Sequence, residues 1–509
     1  MKKFIFITSI FISASLFLAD CAGTEKAFKA VKSVHNDTSI KAVNALAIQL
    51  SNNRPDAAWY RMNEEYRISV SEKQFVENWT KACEGLGEIT GKKDAVLISD
   101  GSYQVITVPV TFEKGTIFAT FTVPAETVNP LDVKFSSEVP EIRNLSDPFS
   151  EPALKEMCKD YFRIGCGITG GSTMDSAVKS PEFMEVASKH FSSWTATNLM
   201  KPSYLLQQKP SMANAAKGDE NPVLDFTAAD MILKQAQENG IQVRGHTLVW
   251  HTQIPDWFFL EGYKSGAPVV DKETMKFRME SYIRQYITYC QEKYPGVVYC
   301  WDVVNEAVDP KGDKSVSWSC RQVNDKYDNM WYKALGPEYV ELAFEYTRKY
   351  ADPDVKLFYN DYGTYDRTKR QYIYNLLCQL KEKNLVDGIG MQGYWDLKNP
   401  GLQTVKETIE LYASTGLEIQ FTEWSISSPD ESDANMALQA ERYAQTFRLL
   451  QKLDTQGGGN ANITCVSFFG VMNHYLFNPN DKTNCRPFDR NLKPNKMYYA
   501  IKDTFDMFY

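Results

Sequence analysis

The feature that most constrains this chain is a regular alternation of strand-like and helix-like segments between residues 153 and 509. Eight short runs of apolar and β-branched residues are separated by stretches with helical periodicity. Eight βα units in succession are typical of a closed parallel barrel, so the sequence predicts an α/β fold, a (β/α)8 TIM barrel, over 153–509. The eight predicted strands are Arg163–Thr169, Ser192–Asn198, Gln242–Trp250, Val297–Asn305, Lys356–Tyr362, Gly388–Tyr394, Glu418–Trp424 and Thr464–Val471.

One helix between the predicted strands has both a start and a stop signal. Thr227 with Asp230 three residues later predicts a capped beginning, and Gly240 predicts the end. The apolar positions between them fall on one helical face: Ala229, Ile232, Leu233 and Ala236.

A smaller α+β domain is predicted ahead of the barrel, over residues 24–123. Asn44–Leu50 and Ser71–Cys83 have helical periodicity, whereas Tyr103–Phe112 and Thr116–Val123 alternate with a period of two and predict a hairpin. This order of elements resembles that of the small cone-shaped domains related to nuclear transport factor 2. We expect Trp59 and Trp79, which lie in helical segments, to be core residues and not a sugar-binding surface.

Residues 124–152 are predicted to be a linker, because Pro130, Pro140 and Pro148 stand among polar residues there. At the other end of the small domain, residues 1–22 have the pattern of a secretory signal peptide. Two lysines precede an apolar run that is too short for a comfortable membrane span, and no second such run follows.

Leu18-Ala19-Asp20-Cys21 is similar to a bacterial lipoprotein cleavage box, although Asp20 departs from the small residue usual before the cysteine. Two alternatives therefore stay open, a soluble mature protein or one with a lipid anchor at Cys21. In either case we expect a secreted, cell-surface or periplasmic location, with no transmembrane span in the mature chain.

Composition narrows the range of partners. The net charge is -8 and there is no long basic run, which argues against nucleic acid as a partner. Aromatic residues make up 13% of the chain, and their flat faces suit sugar rings. None of the ten cysteines forms a C-x-x-C pair, so no metal or other cofactor is expected.

The cysteines divide by their sequence surroundings. Cys166, Cys300 and Cys465 lie in apolar strand-like runs and are expected to be buried thiols. Cys320 and Cys485 lie in loop-like sequence and are the candidates for a disulfide.

The reactive groups of a (β/α)8 barrel lie at the carboxyl ends of its strands. Glu306 follows the fourth predicted strand, and Glu423 lies near the end of the seventh. Two carboxylates about 5–5.5 Å apart suffice to hydrolyse a glycoside with retention, one as nucleophile and one as acid and then base. We therefore predict Glu306 as the acid/base and Glu423 as the nucleophile.

Residues 162–508 resemble the catalytic domain of family 10 glycoside hydrolases, a family best known for endo-β-1,4-xylanase activity. The resemblance is carried by a segment that matches the family's third-strand motif: Gly245-His246-Thr247-Leu248-Val249-Trp250-His251-Thr252-Gln253-Ile254-Pro255-Asp256-Trp257. Leu357–Tyr362 and Asp387–Gln392 resemble the fifth and sixth strand motifs.

The resemblance implies a polysaccharide substrate of the xylan type and a set of residues that line the sugar site. Asn305 would bond the sugar 2-hydroxyl, and Gln392 would border the acid/base. The complete implied set of substrate-binding residues is Asn198, Lys201, His246, Trp250, Gln253, Asn305, Tyr359, Gln392, Tyr394 and Phe469.

The chain departs from the family's pattern at several places. Tyr394 and Ser425 stand where members usually carry a His and an Asp that hold the nucleophile together. Because both partners have changed, no orphan polar group is left, and we expect the Tyr394 hydroxyl to donate to Glu423 instead. Thr197 replaces a Glu, and Phe469 and Phe477 replace tryptophans, on the glycone side.

These departures leave two alternatives to plain xylan hydrolysis. One is hydrolysis of a decorated xylan or a related β-glycan with altered glycone specificity. The other is a weakly active or non-catalytic barrel that binds glycans, for which the changes at Tyr394 and Ser425 are the only support.

Overall fold

The computed structural model describes residues 38–100, 103–124, 129–138, 151–170, 177–322, 329–473 and 484–506. The predicted signal peptide, Cys21 and Phe477 lie outside these ranges. The chain divides into two compact units, one drawn from Met1–Asn144, Asp430–Gln445 and Asp503–Tyr509, the other from Leu145–Pro429 and Thr446–Lys502. No helix in the described ranges is long and apolar enough to cross a membrane.

The first unit contains an antiparallel sheet with helices packed on it, as the α+β prediction requires. Its helices are α1 Thr38–Ser51, α2 Pro55–Trp59, α3 Glu64–Ser69 and α4 Glu72–Ala82, and its strands are β1 Ile89–Lys92, β2 Val96–Asp100, β3 Tyr103–Phe112, β4 Gly115–Pro124 and β5 Asp132–Ser136. The sheet order is β1-β3-β4-β5, and β2 also pairs with β3. The predicted hairpin is confirmed as β3–β4, in which Phe112 is opposite Gly115.

The core of this unit forms from one face of the sheet. Alternate residues of β3 and β4, such as Ile106 and Phe121, are buried against the helices. Trp79 is also buried there, as predicted, with its ring 5.1 Å from that of Phe135. Trp59 is half-buried, and its indole N–H donates to the carbonyl of Val70 at 2.8 Å.

The linker prediction is wrong for residues 132–136, which form the edge strand β5. Leu131, Val133 and Phe135 alternate with more polar residues, and all three are buried. The prolines near this short run masked its period of two, because a five-residue strand carries little periodic signal.

The second unit is the predicted (β/α)8 barrel. Its eight strands, all parallel, are β6 Arg163–Ile168, β7 Ser193–Ala196, β8 Gln242–Trp250, β9 Val298–Asn305, β11 Lys356–Asp361, β12 Gly388–Met391, β14 Glu418–Ser427 and β15 Asn462–Phe468. They follow the order β12-β11-β9-β8-β7-β6-β15-β14, and β12 pairs with β14 to close the barrel. Two further strands, β10 Val308–Asp313 and β13 Tyr394–Asp396, lie beyond the ends of β9 and β12.

The helices of the remaining chain follow the strands in sequence. They are α5 Leu154–Cys158, α6 Pro181–His190, α7 Pro202–Leu205, α8 Gln208–Ala215, α9 Thr227–Glu238, α10 Lys272–Lys293, α11 Met330–Leu335, α12 Tyr339–Tyr350, α13 Arg367–Glu382, α14 Leu402–Ala413, α15 Asp433–Leu453 and α16 Lys496–Asp506. Short 3-10 turns lie at Ala177–Lys179, Asp256–Phe259, Glu261–Tyr263, Gly336–Glu338 and Thr455–Gly457.

The helix predicted from Thr227 is confirmed as α9, but its cap is not the predicted one. The Asp225 carboxylate accepts from the backbone N–H of Thr227 at 2.9 Å, so the capping group lies two residues earlier. Asp230 instead accepts from Lys293 at 2.7 Å.

The disulfide prediction is also wrong. Cys320 and Cys485 form no disulfide, and neither do the other cysteines in the described ranges. Both are buried, so they pack as small apolar side chains in their own loops. Cys166, Cys300 and Cys465 are buried within barrel strands, as predicted.

We expect Phe135→Ala to lower the free energy of unfolding of the first unit by about 3–5 kcal/mol, because it removes a buried ring from the core. Ser137→Ala, at an exposed position two residues away, is the matched control and should change stability by less than about 0.5 kcal/mol. Urea titration followed by circular dichroism measures both. Equal effects for the two variants would show that β5 is not part of the core.

Candidate active site

A cavity of about 390 Å³ opens where the barrel strands end. Glu306 follows the last residue of β9 directly, and Glu423 lies within β14 beyond its pairing with β12. Both carboxylates line this one cavity, as the proposed pair requires. The full lining is Thr169, Thr197, Asn198, Lys201, His246, Trp250, Asn305, Glu306, Gln392, Tyr394, Glu423, Phe469 and Arg486.

Glu306 is held by its backbone and by two side-chain donors. Its φ of 59° is in the left-handed region, and its N–H donates to the carbonyl of Asn360 at 2.8 Å. The carboxylate accepts from the Trp250 indole N–H and from the Gln392 amide, each at 2.9 Å. Burial and the nearby charge of Asp361 raise the pKa of Glu306, whereas these two hydrogen bonds oppose the rise. A carboxyl with a raised pKa suits a proton donor.

Glu423 is 6% exposed, and each of its oxygens has its own donor. The Asn360 amide donates to Oε1 at 3.1 Å, and the Tyr394 hydroxyl donates to Oε2. These two donors compensate the buried carboxylate and fix its orientation in the cavity.

Asn360 is fixed in one orientation by its own neighbours. Its Oδ1 accepts from the Thr422 hydroxyl at 2.7 Å, so its Nδ2 must point the other way, toward Glu423 and Asn305. This packing requires a glycine at position 390, because a Cβ there would lie 2.3 Å from Asn360 Oδ1.

A chain of amides joins the two carboxylates. Asn305 Oδ1 accepts from Asn360 at 2.9 Å and from Gln392 at 3.3 Å. With its oxygen occupied twice, the Asn305 amide cannot flip, and its Nδ2 makes no hydrogen bond to any residue that the structure describes. Because Asn305 lines the cavity, this N–H₂ group is a fixed donor for a ligand beside Glu423.

A second polar cluster lies between the ends of β7 and β8. Lys201 Nζ donates to Gln253 Oε1 at 2.6 Å and to Asn198 Oδ1 at 3.4 Å, and it lies 4.8 Å from the centre of the Trp250 ring. Burial lowers the pKa of Lys201 to about 8, although the charges of Glu423 and Glu306 act in the opposite direction. Lys201 therefore brings a positive charge to the cavity at neutral pH.

His246 is oriented from inside the barrel. Its Nδ1 lies 2.9 Å from the Asp302 carboxylate, which also pairs with the fully buried Arg244. Arg244 donates further to Gln420 at 2.5 Å. The buried Asp302 carboxylate thus has Arg244 on one side and His246 on the other. It fixes the orientation of the His246 ring that faces the cavity.

Residues 153–504 match the model of glycosyl hydrolase family 10, which is more than half of the chain. The chain belongs to this family.

Curated relatives with similar sequences are named as xylanases. A putative endo-1,4-beta-xylanase of Caldicellulosiruptor saccharolyticus is 44% identical over 311 residues, which are 59% of this chain and 96% of the relative. Endo-1,4-beta-xylanase B of Butyrivibrio fibrisolvens is 37% identical over 63% of this chain and 47% of the relative.

Solved structures of family members share the fold. Xylanase B from Clostridium stercorarium matches with a TM-score of 0.57 at 31% identity, over 69% of this chain and all of that one. A two-module Clostridium thermocellum endo-1,4-beta-D-xylanase in complex with xylohexaose matches with a TM-score of 0.62 at 28% identity, over 79% of this chain and 74% of that one.

Most of the residues implied by the family resemblance line the cavity, and two do not. Tyr359 is wrong as a substrate contact, because it is fully buried and its hydroxyl donates to Asp361 at 2.5 Å and accepts from the Val308 N–H at 2.9 Å. It supports the segment after Glu306 instead. Gln253 lies behind the lining, where it bonds Lys201 and Asn198.

The lining also contains three residues outside the implied set of substrate-binding residues, although Thr197 was already noted as a departure on the glycone side. Thr169 and Thr197 follow barrel strands, a position that could have marked them. Arg486 lies far beyond the last strand, and its guanidinium donates to the carbonyls of Phe469 at 3.0 Å and Met472 at 2.9 Å. No strand-end signal could have found it.

The expectation for Tyr394 is confirmed, since its hydroxyl donates to Glu423. Tyr394 and Ser425 are also Cα partners in the parallel pairing of β13 with β14. The two positions that depart together from the family's pattern are therefore neighbours in space.

The arrangement can transfer a proton at Glu306 and form a bond at Glu423 within one cavity. In the described ranges no group of His, Cys, Asp and Glu side chains could hold a metal ion. The chemistry available to these residues is acid/base and nucleophilic catalysis.

We expect two substitutions to move the alkaline limb of glycoside hydrolysis in opposite directions. Gln392→Met removes a donor that lowers the Glu306 pKa, so the limb should shift to higher pH. Asp361→Asn removes a negative charge that raises this pKa, so the limb should shift to lower pH. Each shift should be about one pH unit or less.

The measurement is kcat/KM against pH, which reports the groups of the free enzyme. Gln371→Met, on an exposed helical position, serves as the control and should leave the limb in place. Shifts in the same direction for Gln392→Met and Asp361→Asn would contradict the assignment of Glu306 as the acid.

Proposed function

We propose that this chain hydrolyses internal β-1,4-xylosidic bonds of xylan or a decorated xylan by double displacement with retention. The observation that carries the proposal is the pair of carboxylates that line one cavity, each with a donor on both of its oxygens. Glu306 has in addition a raised pKa, which suits a proton donor. The names of the relatives, which are xylanases, support xylan as the substrate.

The reaction follows from the contacts. In the first step a Glu423 oxygen attacks the anomeric carbon, the glycosidic bond breaks, and Glu306 protonates the departing oxygen. In the second step Glu306 takes a proton from water as the water oxygen attacks the same carbon, and Glu423 leaves as a carboxylate. Two inversions at one carbon give net retention.

The cavity contains side chains that can bind the sugar as well as those that can cleave the glycosidic bond. The fixed Nδ2 of Asn305 lies beside Glu423, where a 2-hydroxyl would approach. His246 and Lys201 offer further polar contacts, and the Trp250 ring offers an apolar face.

A related β-glycan is a second candidate substrate, because Thr197 and Phe469 both line the cavity at positions that depart from the family's pattern. A shorter side chain and a smaller ring leave more room there. A product profile on plain xylan, glucuronoxylan, arabinoxylan and mixed-linkage β-glucan separates the two candidates by relative rate.

Glu423→Ala should abolish release of reducing ends from xylan, because Glu306 is the only other carboxylate among the described residues that line the cavity. Glu306→Ala should lower the rate on xylan by about 10²–10⁴-fold and by much less on an aryl β-xylobioside, whose leaving group needs little protonation. Azide should rescue both variants, with an α-glycosyl azide from Glu423→Ala and a β-glycosyl azide from Glu306→Ala.

Proton NMR of the products reads the stereochemistry directly. Glu410→Ala, on the exposed face of α14, is the matched control and should keep wild-type activity. Release of an α-configured hemiacetal by the wild-type chain would contradict double displacement on a β-glycoside. Undiminished hydrolysis by Glu423→Ala would contradict the role of this residue.

We infer that residues 1–22 direct export, which gives a secreted, cell-surface or periplasmic protein. Support comes from the charged start and apolar run of this segment and from Cys21. Cleavage before Cys21 with lipid attachment and cleavage to a soluble protein are both compatible with this pattern.

Expression with the native leader in a bacterium grown with labelled palmitate distinguishes the two forms. A lipid-anchored chain should carry label in the membrane fraction and lose it in Cys21→Ala, whereas a soluble one should appear unlabelled outside the cytoplasm. Retention of the uncleaved chain in the cytoplasm would overturn export.

A further inference from the structure

Tyr394 combines two contacts that set it apart from the other cavity residues. It is the first residue of β13, and its ring meets that of Phe469 edge-on, with centroids 5.8 Å apart and planes at 85°. Its hydroxyl donates to Oε2 of Glu423. Tyr394 is 44% exposed, so this ring contact and the hydrogen bond together hold it against the nucleophile.

The Tyr394 hydroxyl has one proton, and that proton is committed to Glu423. The shielded position of the hydroxyl and the adjacent Glu423 charge raise the pKa of Tyr394 well above its ordinary value. Ser425, its partner across the strand pair, carries no charge and is largely buried. The donor to the nucleophile is thus neutral, and it remains protonated through the pH range in which carboxyl groups titrate.

The two oxygens of Glu423 are supported in different ways. The donor to Oε1, Asn360, shares its amide with Asn305 and is locked by Thr422. The donor to Oε2 is a single hydroxyl on a short strand that only begins at that residue. Removal of the Tyr394 hydroxyl would leave Oε1 and the amide chain intact, so its effect can be measured separately.

We propose that Tyr394 is a positioning residue that acts mainly on the second step of the reaction, where it stabilises Glu423 as this side chain leaves the sugar. The inference rests on the proposed function, because it assumes a covalent intermediate on Glu423.

The charge on the Glu423 carboxylate changes in opposite directions in the two steps. In the first step a Glu423 oxygen forms a bond to carbon, the glycosidic bond breaks, and the carboxylate loses its negative charge as it becomes an ester. The hydrogen bond from Tyr394 weakens as this happens, so it stabilises the free enzyme at least as much as the transition state.

In the second step the charge returns. Water attacks the anomeric carbon, its proton passes to Glu306, and the electron pair of the carbon–oxygen bond goes back to Glu423. The hydrogen bond from Tyr394 strengthens as this charge develops, and a donor aimed at a developing charge lowers the barrier. Hence the same contact has opposite consequences for the two steps.

Tyr394→Phe tests this inference, because it removes the hydroxyl and keeps the ring against Phe469. On 2,4-dinitrophenyl β-xylobioside, whose first step needs little acid catalysis, we expect kcat to fall about tenfold or more, the typical effect of one hydrogen bond to a charged group. We expect kcat/KM, which reports the first step, to change less than about threefold, so KM should fall with kcat.

Two further readouts separate this role from a structural one. Rapid mixing should show a burst of dinitrophenolate in Tyr394→Phe, and intact-protein mass spectrometry should show the chain carrying one xylobiosyl group that disappears after substrate is exhausted. Tyr412→Phe, which removes a buried hydroxyl bonded to the Thr364 carbonyl and lies outside the cavity lining, is the control and should show neither change.

Equal losses in kcat and kcat/KM, with no burst and no adduct, would overturn the inference while leaving the proposed function in place. Failure of the wild-type chain to hydrolyse either this substrate or xylan would instead overturn the proposed function. The melting temperature of Tyr394→Phe should stay near that of wild type, which shows that the kinetic change does not come from unfolding.

Discussion

A carboxylate that leaves water must receive hydrogen bonds from the protein, and this requirement shapes the whole active site. Glu306 and Glu423 share one cavity, yet they receive their donors from different elements. Trp250 and Gln392 serve Glu306, whereas Asn360 and Tyr394 serve Glu423. Each carboxylate has two donors, and burial together with the charge of Asp361 raises the pKa of Glu306, as its role as proton donor requires.

The barrel makes these distinct surroundings possible because its parallel strands bring their carboxyl ends together. Asn305, Asn360 and Glu423 lie on three different strands, yet their side chains form one continuous network. Below it, Arg244 and Asp302 fill the barrel interior with a compensated ion pair, to which His246 is tied. The layer under the cavity is therefore polar, and its hydrogen bonds hold the side chains above it in a fixed orientation toward the ligand.

Much of this could be predicted from the sequence, because strand length and spacing are local properties. The eight barrel strands begin and end within a few residues of their predicted positions, and the two glutamates follow from the rule that reactive groups lie at strand ends. Tyr359 shows the limit of that rule. Its place in a strand motif suggested a ligand contact, but only three-dimensional packing determines that its hydroxyl turns to Asp361 and away from the cavity.

Other features could not be predicted for the same reason, because they too depend on contacts between residues that are distant in the sequence. Strand β5 pairs with the edge of β4, and the period of two in its five residues is too short to predict that pairing by itself. Arg486 is held at the cavity by hydrogen bonds to the carbonyls of Phe469 and Met472, which are distant from it in sequence. The predicted disulfide between Cys320 and Cys485 assumed that the two residues lie close together, which loop sequence does not encode.

The substitutions at Tyr394 and Ser425 show why a departure from a family's pattern has to be judged as a unit. Taken singly, each change removes a polar group from the support of the nucleophile. Taken together, they leave the Tyr394 hydroxyl as a neutral donor to Glu423. Unlike a histidine, Tyr394 has no second polar ring atom, so Ser425 beside it does not have to supply a partner for one. Since the donor to Glu423 is kept, the change argues for an altered way of holding the nucleophile and against a barrel that has lost its chemistry.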